Sequence, residues 1–410
     1  MRSVKSVATA VMVGAAVLAG AGAVPSAAGA ERGRAAFELP APGGRWPVGT
    51  AELHLVDEKR PDPWVAGRTR ELMVGVWYPA AHKGGDPAPY LRPAAARLLD
   101  QSTTLGLFPP GTVDWAGART HAAESAPVDT RKGARPVVLY SPGFGVTRAL
   151  GTTLAEELAS HGYVVVTVDH TYETMPVEFP GGRVEVQRLP PPSPQRTKKA
   201  VDVRVQDTRF VLDRLAALRN GANPDAEGRP LPSGLGRVLD LTRVGMVGHS
   251  AGGVEALETM RVDRRLDAGV DMDGTLQYDD GDLVPVAGQG LRSPFMLMGA
   301  ATGGTPQTHR TSPSWESLWT RSTGWKRDLN APTAGHYSST DLQAILPDLD
   351  RVLDIPAADR ADFIGTVPPA RMIAAQRAYV TAFFDRHLRG RPEPILNRPS
   401  PRFPDVHFVR

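Results

Sequence analysis

A serine hydroxyl attacks a carbonyl carbon only where the backbone lifts it clear of its neighbours and a base takes its proton. Gly248-His249-Ser250-Ala251-Gly252 meets the first condition. It follows at once on Arg243-Val-Gly-Met-Val247, an apolar strand-like run, and leads into a helical segment, Gly253 to Arg261. The G-x-S-x-G pattern at a strand-to-helix junction implies a turn so tight that the serine backbone is strained and its side chain stands above the sheet. Glycine is needed two residues before and two after the serine, because a Cβ at either would clash across the turn. The expected chemistry is attack by Ser250 on an acyl carbonyl.

A nucleophile carried this way takes its partners in the chain order Ser, acid, His, so the base must lie downstream. Four histidines qualify: His309, His336, His387 and His407. His387 falls inside a terminal helix and His407 in a tail. His309 belongs to a Thr- and Pro-rich stretch that reads as a solvated surface loop. His336, in Ala334-Gly335-His336-Tyr337, occupies a glycine-containing turn late in the sheet region and is the expected base. For the acid, residues 299–315, the loop after the second strand beyond the serine, hold no Asp or Glu. The carboxylate therefore belongs one strand earlier, at Asp271 or Asp273 in Val270-Asp-Met-Asp-Gly274. Asp271 lies within the strand, where a buried carboxylate is costly. Asp273 stands at its C-terminal end, where ligands gather in open α/β sheets.

The charge that develops on the attacked oxygen needs two backbone N–H donors. One is the amide of Ala251, directly after the nucleophile. The other is expected in Ser141-Pro-Gly-Phe-Gly145, where two glycines allow close backbone approach and Phe144 supplies the N–H. Other polar positions read as structural. His161 sits at a helix end, a favourable place for a cation. His249 lines the site without being able to act as base from its position, and His170 follows a strand end near the active edge. Tyr278-Asp-Asp-Gly-Asp282 lacks the alternating ligands and closing Glu of a calcium loop and reads as a solvated acidic turn. Trp315, Trp319 and Trp325 are expected either to edge an apolar pocket or to pack in the core.

The elements that position these residues alternate. Strands are expected over Glu71–Tyr78, Val137–Tyr140, Tyr163–Val168, Arg243–Val247, Ala268–Met272 and Pro294–Met298. Helices are expected over Leu150–Ser160, after Ser250, and over about Ala370–Leu388, with a short one around Ala94–Leu99. Val201, Val205, Thr208, Leu212 and Leu215 share one helical face. Residues 31–69 read as an extended lead-in with little structure, residues 80–134 as irregular loops, and the Pro-rich 176–196 as a surface loop. Alternating strands and helices imply an α/β fold, a mostly parallel sheet with helices on both faces.

Composition narrows the class. At 410 residues, 41% hydrophobic and 22% charged, the chain suits one large catalytic domain, read over 70–410, with no internal repeat. Arg2 and Lys5, the uncharged run from Val7 to Val24 and Ala28-Gly29-Ala30 make residues 1–30 a cleavable export signal, with secretion expected. No later segment is apolar enough to span a bilayer. The chain has 47 Lys and Arg against 44 Asp and Glu, and the leader holds two of the cations. The remainder is close to neutral, which offers nothing to nucleic acid. With no cysteine, there are no disulfides, no thiol nucleophile and no Cys-bound metal.

Several segments together resemble the platelet-activating-factor acetylhydrolases of the plasma and type II intracellular kind, members of the α/β-hydrolase fold. They are Val137-Val-Leu-Tyr-Ser-Pro-Gly-Phe-Gly145, Leu158-Ala-Ser-His-Gly-Tyr-Val164, Val168-Asp-His170, Gly248-His-Ser-Ala-Gly-Gly253, Asp271-Met-Asp-Gly274 and Gly335-His336. The likeness spans about residues 70–390, and Pro142 departs from it, since the family often has His before that glycine. The resemblance implies a calcium-independent serine esterase that removes short acyl groups from phospholipids. It carries the nucleophile to Ser250, the acid to Asp273, the base to His336 and the oxyanion donors to Phe144 and Ala251. No cofactor or metal is expected. The expected partner is a small-molecule or lipid ester, with transient contact at a lipid surface and no protein partner. A polyester or cutin hydrolase, or a hydrolase fold kept only for binding, are the alternative readings.

Overall fold

Val137-Val138-Leu139-Tyr140 has no polar position to offer to water, so both sides of that strand must be covered. The computed structural model, which describes residues 34–102 and 107–410, covers them. The leader read over residues 1–30 lies outside the described residues. One sheet of eleven strands runs through the described chain: β1 (Val48–Pro61), β2 (Thr69–Pro79), β3 (Pro87–Pro89), β4 (Arg119–Glu124), β5 (Arg135–Ser141), β6 (Val164–Asp169), β7 (Leu239–His249), β8 (Ala268–Met272), β9 (Phe295–Gly299), β10 (Lys326–Asn330) and β11 (His407–Phe408). Its spatial order is β11-β10-β9-β8-β7-β5-β6-β2-β1-β4-β3. The six strands from β10 to β6 are parallel. The antiparallel strands lie outside them, β11 on one edge and the β2–β1 pair on the other.

The helices are α1 (Pro93–Asp100), α2 (Thr152–Ser160), α3 (Pro194–Arg219), α4 (Ala251–Val262), α5 (Pro285–Gln289), α6 (Pro313–Arg321), α7 (Leu342–Leu353), α8 (Ala357–Ile364) and α9 (Pro369–Arg389). Val137 and Leu139 of β5 join a core with α3, α4, α5 and α6 on one face. Val138 and Tyr140, pointing the other way, pack with α2 and α9. A third apolar cluster joins Phe37, Trp115, α1 and α7, with Val146 and Tyr337 at its margin.

Three stretches are more ordered than their composition suggests. Residues 48–61, read as part of an unstructured lead-in, form the longest strand of the sheet. Ala51, Leu53 and Leu55 are buried, while Glu52 and His54 on the other side form ion pairs. Residues 80–134 contribute β3 and β4 to the edge of the sheet. Within 176–196, a hairpin pairs Val177–Glu178 with Val184–Glu185, and Val177 and Phe179 are buried against Met73. The hairpin supplies enough apolar contact to leave the surface, which the prolines alone do not reveal. α3 then starts at Pro194, its N-terminus capped by Ser193, whose hydroxyl accepts from the Arg196 N–H at 3.1 Å.

Under the C-terminal ends of β5 and β6 lies a buried layer of ions. Arg70 donates to Asp207 at 2.5 and 3.0 Å and to Asp62 at 3.0 Å. His170 lies between Asp207, 2.9 Å from Nδ1, and Glu255, 3.2 Å from Nε2. Burial alone would push the imidazole down, but the Glu255 and Asp207 carboxylates outweigh it and raise its pKa to about 9. A histidine raised in the folded state stabilises fully below the unfolded value of about 6.5. That contribution fades as pH climbs and is gone above about 9. Glu156, raised to about 8 by burial, changes stability in the same direction. The melting temperature should therefore fall between neutral pH and pH 9, and fall less in His170→Gln. Thermal denaturation across that range checks this, and a level Tm would show that His170 is not held as a cation.

Candidate active site

Ser250 occupies the turn between β7 and α4 with φ 54° and ψ −120°. Only a short backbone detour fits there. A Cβ on Gly248 would come within 2.1 Å of the Gly252 carbonyl carbon, and one on Gly252 within 2.1 Å of the Ser141 oxygen. The Ser250 N–H donates to the Met272 carbonyl at 2.8 Å, which ties the turn to the end of β8. Ser250 is half-buried, with its neighbours His249 and Gly252 buried beneath it.

The turn after β5 packs directly on this serine. A Cβ built on Gly143 would lie 3.5 Å from the Ser250 Cβ and 2.9 Å from His249 Nδ1. Gly145, at φ 73°, lets the chain reverse after Phe144. The Phe144 amide makes no backbone hydrogen bond among the described residues. Ala251 is the first residue of α4, so its N–H has no partner within the helix. Among the described residues, both amides expected to receive the oxyanion thus lack a backbone partner.

Asp273 and His336 meet from separate strand ends. Asp273 follows β8 with φ 62°, and its N–H donates to the Met298 carbonyl at 2.9 Å. Its Oδ1 accepts from the Ala300 N–H at 2.7 Å and its Oδ2 from His336 Nδ1 at 2.6 Å. With both oxygens engaged, the carboxylate fixes the imidazole ring and leaves Nε2 as the free nitrogen. Trp315, fully buried, donates its indole N–H to the Gly274 carbonyl at 2.6 Å and supports the same turn. Gly335 admits no side chain, since a Cβ would lie 2.6 Å from the Phe363 carbonyl oxygen.

Asp271, the other candidate acid, is placed differently. It is fully buried beneath α4, its Oδ1 accepts only from the Gly274 N–H at 2.8 Å, and burial drives its pKa well above the usual carboxylate range, with the charge of Asp273 adding to the shift. Two carboxyls two residues apart thus meet different surroundings, one sealed under a helix and the other bonded through both oxygens.

His249 lies under the base. Its Nε2 donates to the His336 carbonyl at 2.8 Å, and the two rings are 4.6 Å apart. Burial, reinforced by His336, holds His249 well below the usual histidine range.

The remaining histidines are elsewhere. His309 is not a solvated loop residue: it is buried, stacked on Trp319 at 4.1 Å, with Nδ1 2.6 Å from Asp328. Asp328 sits inside β10, so the local Thr/Pro composition could not reveal the pair. His387 packs on Trp325 and Phe383, and His407 is exposed on β11. The three tryptophans are therefore packing residues. The acidic turn is a small hairpin, Gln277–Asp279 with Asp282–Leu283, and Asp282 pairs with Lys198 at 2.7 Å.

Arg204 is the site-related residue that residue-by-residue reading missed. It is fully buried on α3 and donates to the Pro142 and Gly143 carbonyls of the turn that carries Phe144. An arginine at position 204, inside the apolar stripe of Val201, Val205 and Thr208, is the available signal.

The fold is that of an α/β-hydrolase, with Ser250 after one parallel strand and the Asp273–His336 pair formed from the ends of others. The family described as platelet-activating factor acetylhydrolase, isoform II, matches residues 104–177. A probable 1-alkyl-2-acetylglycerophosphocholine esterase from Arthroderma benhamiae is 31% identical over 91% of this chain and 94% of its own length. A platelet-activating factor acetylhydrolase from Cavia porcellus is 24% identical over 34% of each chain. A solved ferulic acid esterase from Streptomyces cinnamoneus superposes with a TM-score of 0.74 at 41% identity, over 91% of this chain and 99% of its own. The chain belongs to the platelet-activating-factor-acetylhydrolase-like family, and it is a carboxylic ester hydrolase.

The two aspartates should separate cleanly. Asp273→Asn, its oxygen kept by the Ala300 N–H, would turn an N–H toward His336 Nδ1 and hold the wrong tautomer, so it should lose about four orders of magnitude in kcat while folding normally. Asp271→Asn replaces a buried carboxyl whose pKa burial raises and which does not touch His336, so it should leave kcat nearly unchanged. Steady-state ester hydrolysis with circular dichroism decides between them, and a reversal of the two results would move the acid to Asp271.

Proposed function

We propose that Ser250, His336 and Asp273 hydrolyse esters through an acyl-serine intermediate. His336 Nε2 takes the Ser250 proton as the oxygen attacks the acyl carbon, and the N–H groups of Phe144 and Ala251 receive the oxyanion. The alcohol departs with the proton from His336, and a water deprotonated by the same nitrogen releases the acid. The observation that carries this reading is the 2.6 Å bond from His336 to a carboxylate whose other oxygen is already held.

The substrates we propose are short-acyl carboxylic esters, including the sn-2 acetyl of a phospholipid, as the name of the Arthroderma relative suggests. A second reading, an aromatic acyl group such as feruloyl, is favoured by the 41% identity to the Streptomyces enzyme. Half-buried Tyr337 and Phe363, 5.4 Å apart beside His336, would suit a flat acyl group. We further propose export, with cleavage near Ala30, on the strength of the leader composition. N-terminal sequencing of the protein from culture medium tests that, and a retained Met1 would refute it.

Ser250→Ala and His336→Ala should each lower kcat by about four to six orders of magnitude, because the members act as a unit. Wild-type protein should release a burst of one p-nitrophenol per chain from p-nitrophenyl acetate. On acidification kcat/KM should fall with the slope of one proton, because burial keeps His249 from taking up a proton until well below the usual histidine range. A two-proton slope would mean that both rings titrate. Hydrolysis rates for acetyl-phospholipid, methyl ferulate and long-acyl esters, compared on one preparation, select between the substrate readings.

A further inference from the structure

The Gly143–Phe144 peptide carries two groups that point in opposite directions, the Gly143 carbonyl and the Phe144 N–H. Whatever grips the carbonyl from inside the protein therefore aims the N–H outward. Arg204 grips it. One terminal nitrogen, Nη2, donates to the Gly143 carbonyl at 3.1 Å, and the other, Nη1, to the Pro142 carbonyl at 2.8 Å and to Ser141 Oγ at 3.0 Å. Three consecutive residues of the turn are thus held by one planar, rigid fork.

The fork is itself fixed from behind. Glu173 accepts from Arg204 Nε at 3.0 Å and from Nη2. Glu255, on α4 one turn beyond the nucleophile, lies 3.3 Å from Nη1 and accepts from Ser141 at 2.5 Å and Thr208 at 2.5 Å. The guanidinium is fully buried, and two carboxylates neutralise it. The influence argued here is geometric, through the two carbonyls that it holds.

We propose that Arg204 is a positioning residue for the oxyanion hole, setting the Gly143–Phe144 peptide so that the Phe144 N–H faces the oxygen developing beside Ser250. Glycine at 143 makes that peptide easy to turn over. Turned over, it would present a carbonyl lone pair where negative charge must form. The Val146 N–H also reaches the Gly143 carbonyl, at 3.3 Å, and Arg204 adds the shorter, charged and buried donor that a turned-over peptide would lose. Pro142 contributes by restricting the residue before it and by lacking an N–H that could compete inside the turn. The inference rests on the acyl-serine reading given above.

The test is Arg204→Lys, which keeps a cation between Glu173 and Glu255 but cannot fork across two carbonyls. Chains are first titrated with a fluorophosphonate, and rates are taken per labelled serine. If wild-type protein takes no label at Ser250, the acyl-serine reading fails. With labelling established, kcat on p-nitrophenyl acetate should fall about tenfold to several hundredfold, with KM and the acid limb of the pH profile unchanged, as for a weakened oxyanion donor. The rate on the thionoester, whose sulfur forms only weak hydrogen bonds to the same donors, should fall much less. An unchanged oxygen-to-sulfur rate ratio, whatever the loss of activity, would overturn the proposal, since general loosening slows both substrates alike. Should the variant not fold, the phosphonylated wild-type crystal structure decides. A phosphoryl oxygen on the Phe144 and Ala251 N–H groups, with Arg204 still on both carbonyls, is the expected result, and any other pair of donors refutes it.

Discussion

Backbone contact between two turns is the constraint on which the site depends. Gly252 lies so close to the Ser141 carbonyl, and Gly143 so close to Ser250 and His249, that no side chain fits at either position. The end of β5 and the turn after β7 consequently behave as one body. Holding a non-glycine residue at φ 54° costs on the order of 1–3 kcal/mol. The Ser250 N–H bond to Met272 and the bonds from Gly253 and Val254 to the Ser250 carbonyl keep the serine there. Ser250 and the turn that carries Gly143 and Phe144 cannot drift apart without breaking that packing.

Around this body, burial sorts groups of one chemical type into different states. Asp271 and Asp273 are near neighbours, yet the first is kept neutral by burial and the second is bonded through both oxygens. His249 is kept neutral beneath His336 and supports its backbone. His170 is kept charged between Asp207 and Glu255. These states follow from which partners each side chain meets, not from its type.

Likeness to enzymes with differently named substrates is consistent with this division of labour. In the reading proposed above, Ser250, His336 and Asp273 act on the acyl carbonyl, whatever the acyl group bears. The same reading leaves acyl preference to the residues around them, among which Phe144, Tyr337 and Phe363 are half-buried. A shared fold therefore bounds the chemistry more tightly than the substrate.

The sequence alone was enough to mark the elbow, because strand, turn and helix are local and the glycines that permit the turn are adjacent to the serine. It was also enough to find the parallel strands, whose unbroken apolar runs announce burial on both faces, and to single out His336, the one downstream histidine in a glycine turn after the sheet, which the fold pairs with Asp273. It narrowed the acid to two residues of one strand end, but the pairing itself depends on where Ala300 and His336 arrive from other strands. The strand in residues 48–61 stayed hidden because its polar side chains are satisfied by distant ions such as Arg148 and Glu71. His309 was misread for the same reason, its partner Asp328 lying on another strand. Arg204 went unread because its role exists only once α3 is laid under the turn after β5. Local order is written in neighbouring residues, whereas the protonation and purpose of a buried ion depend on groups that only the folded chain brings within reach.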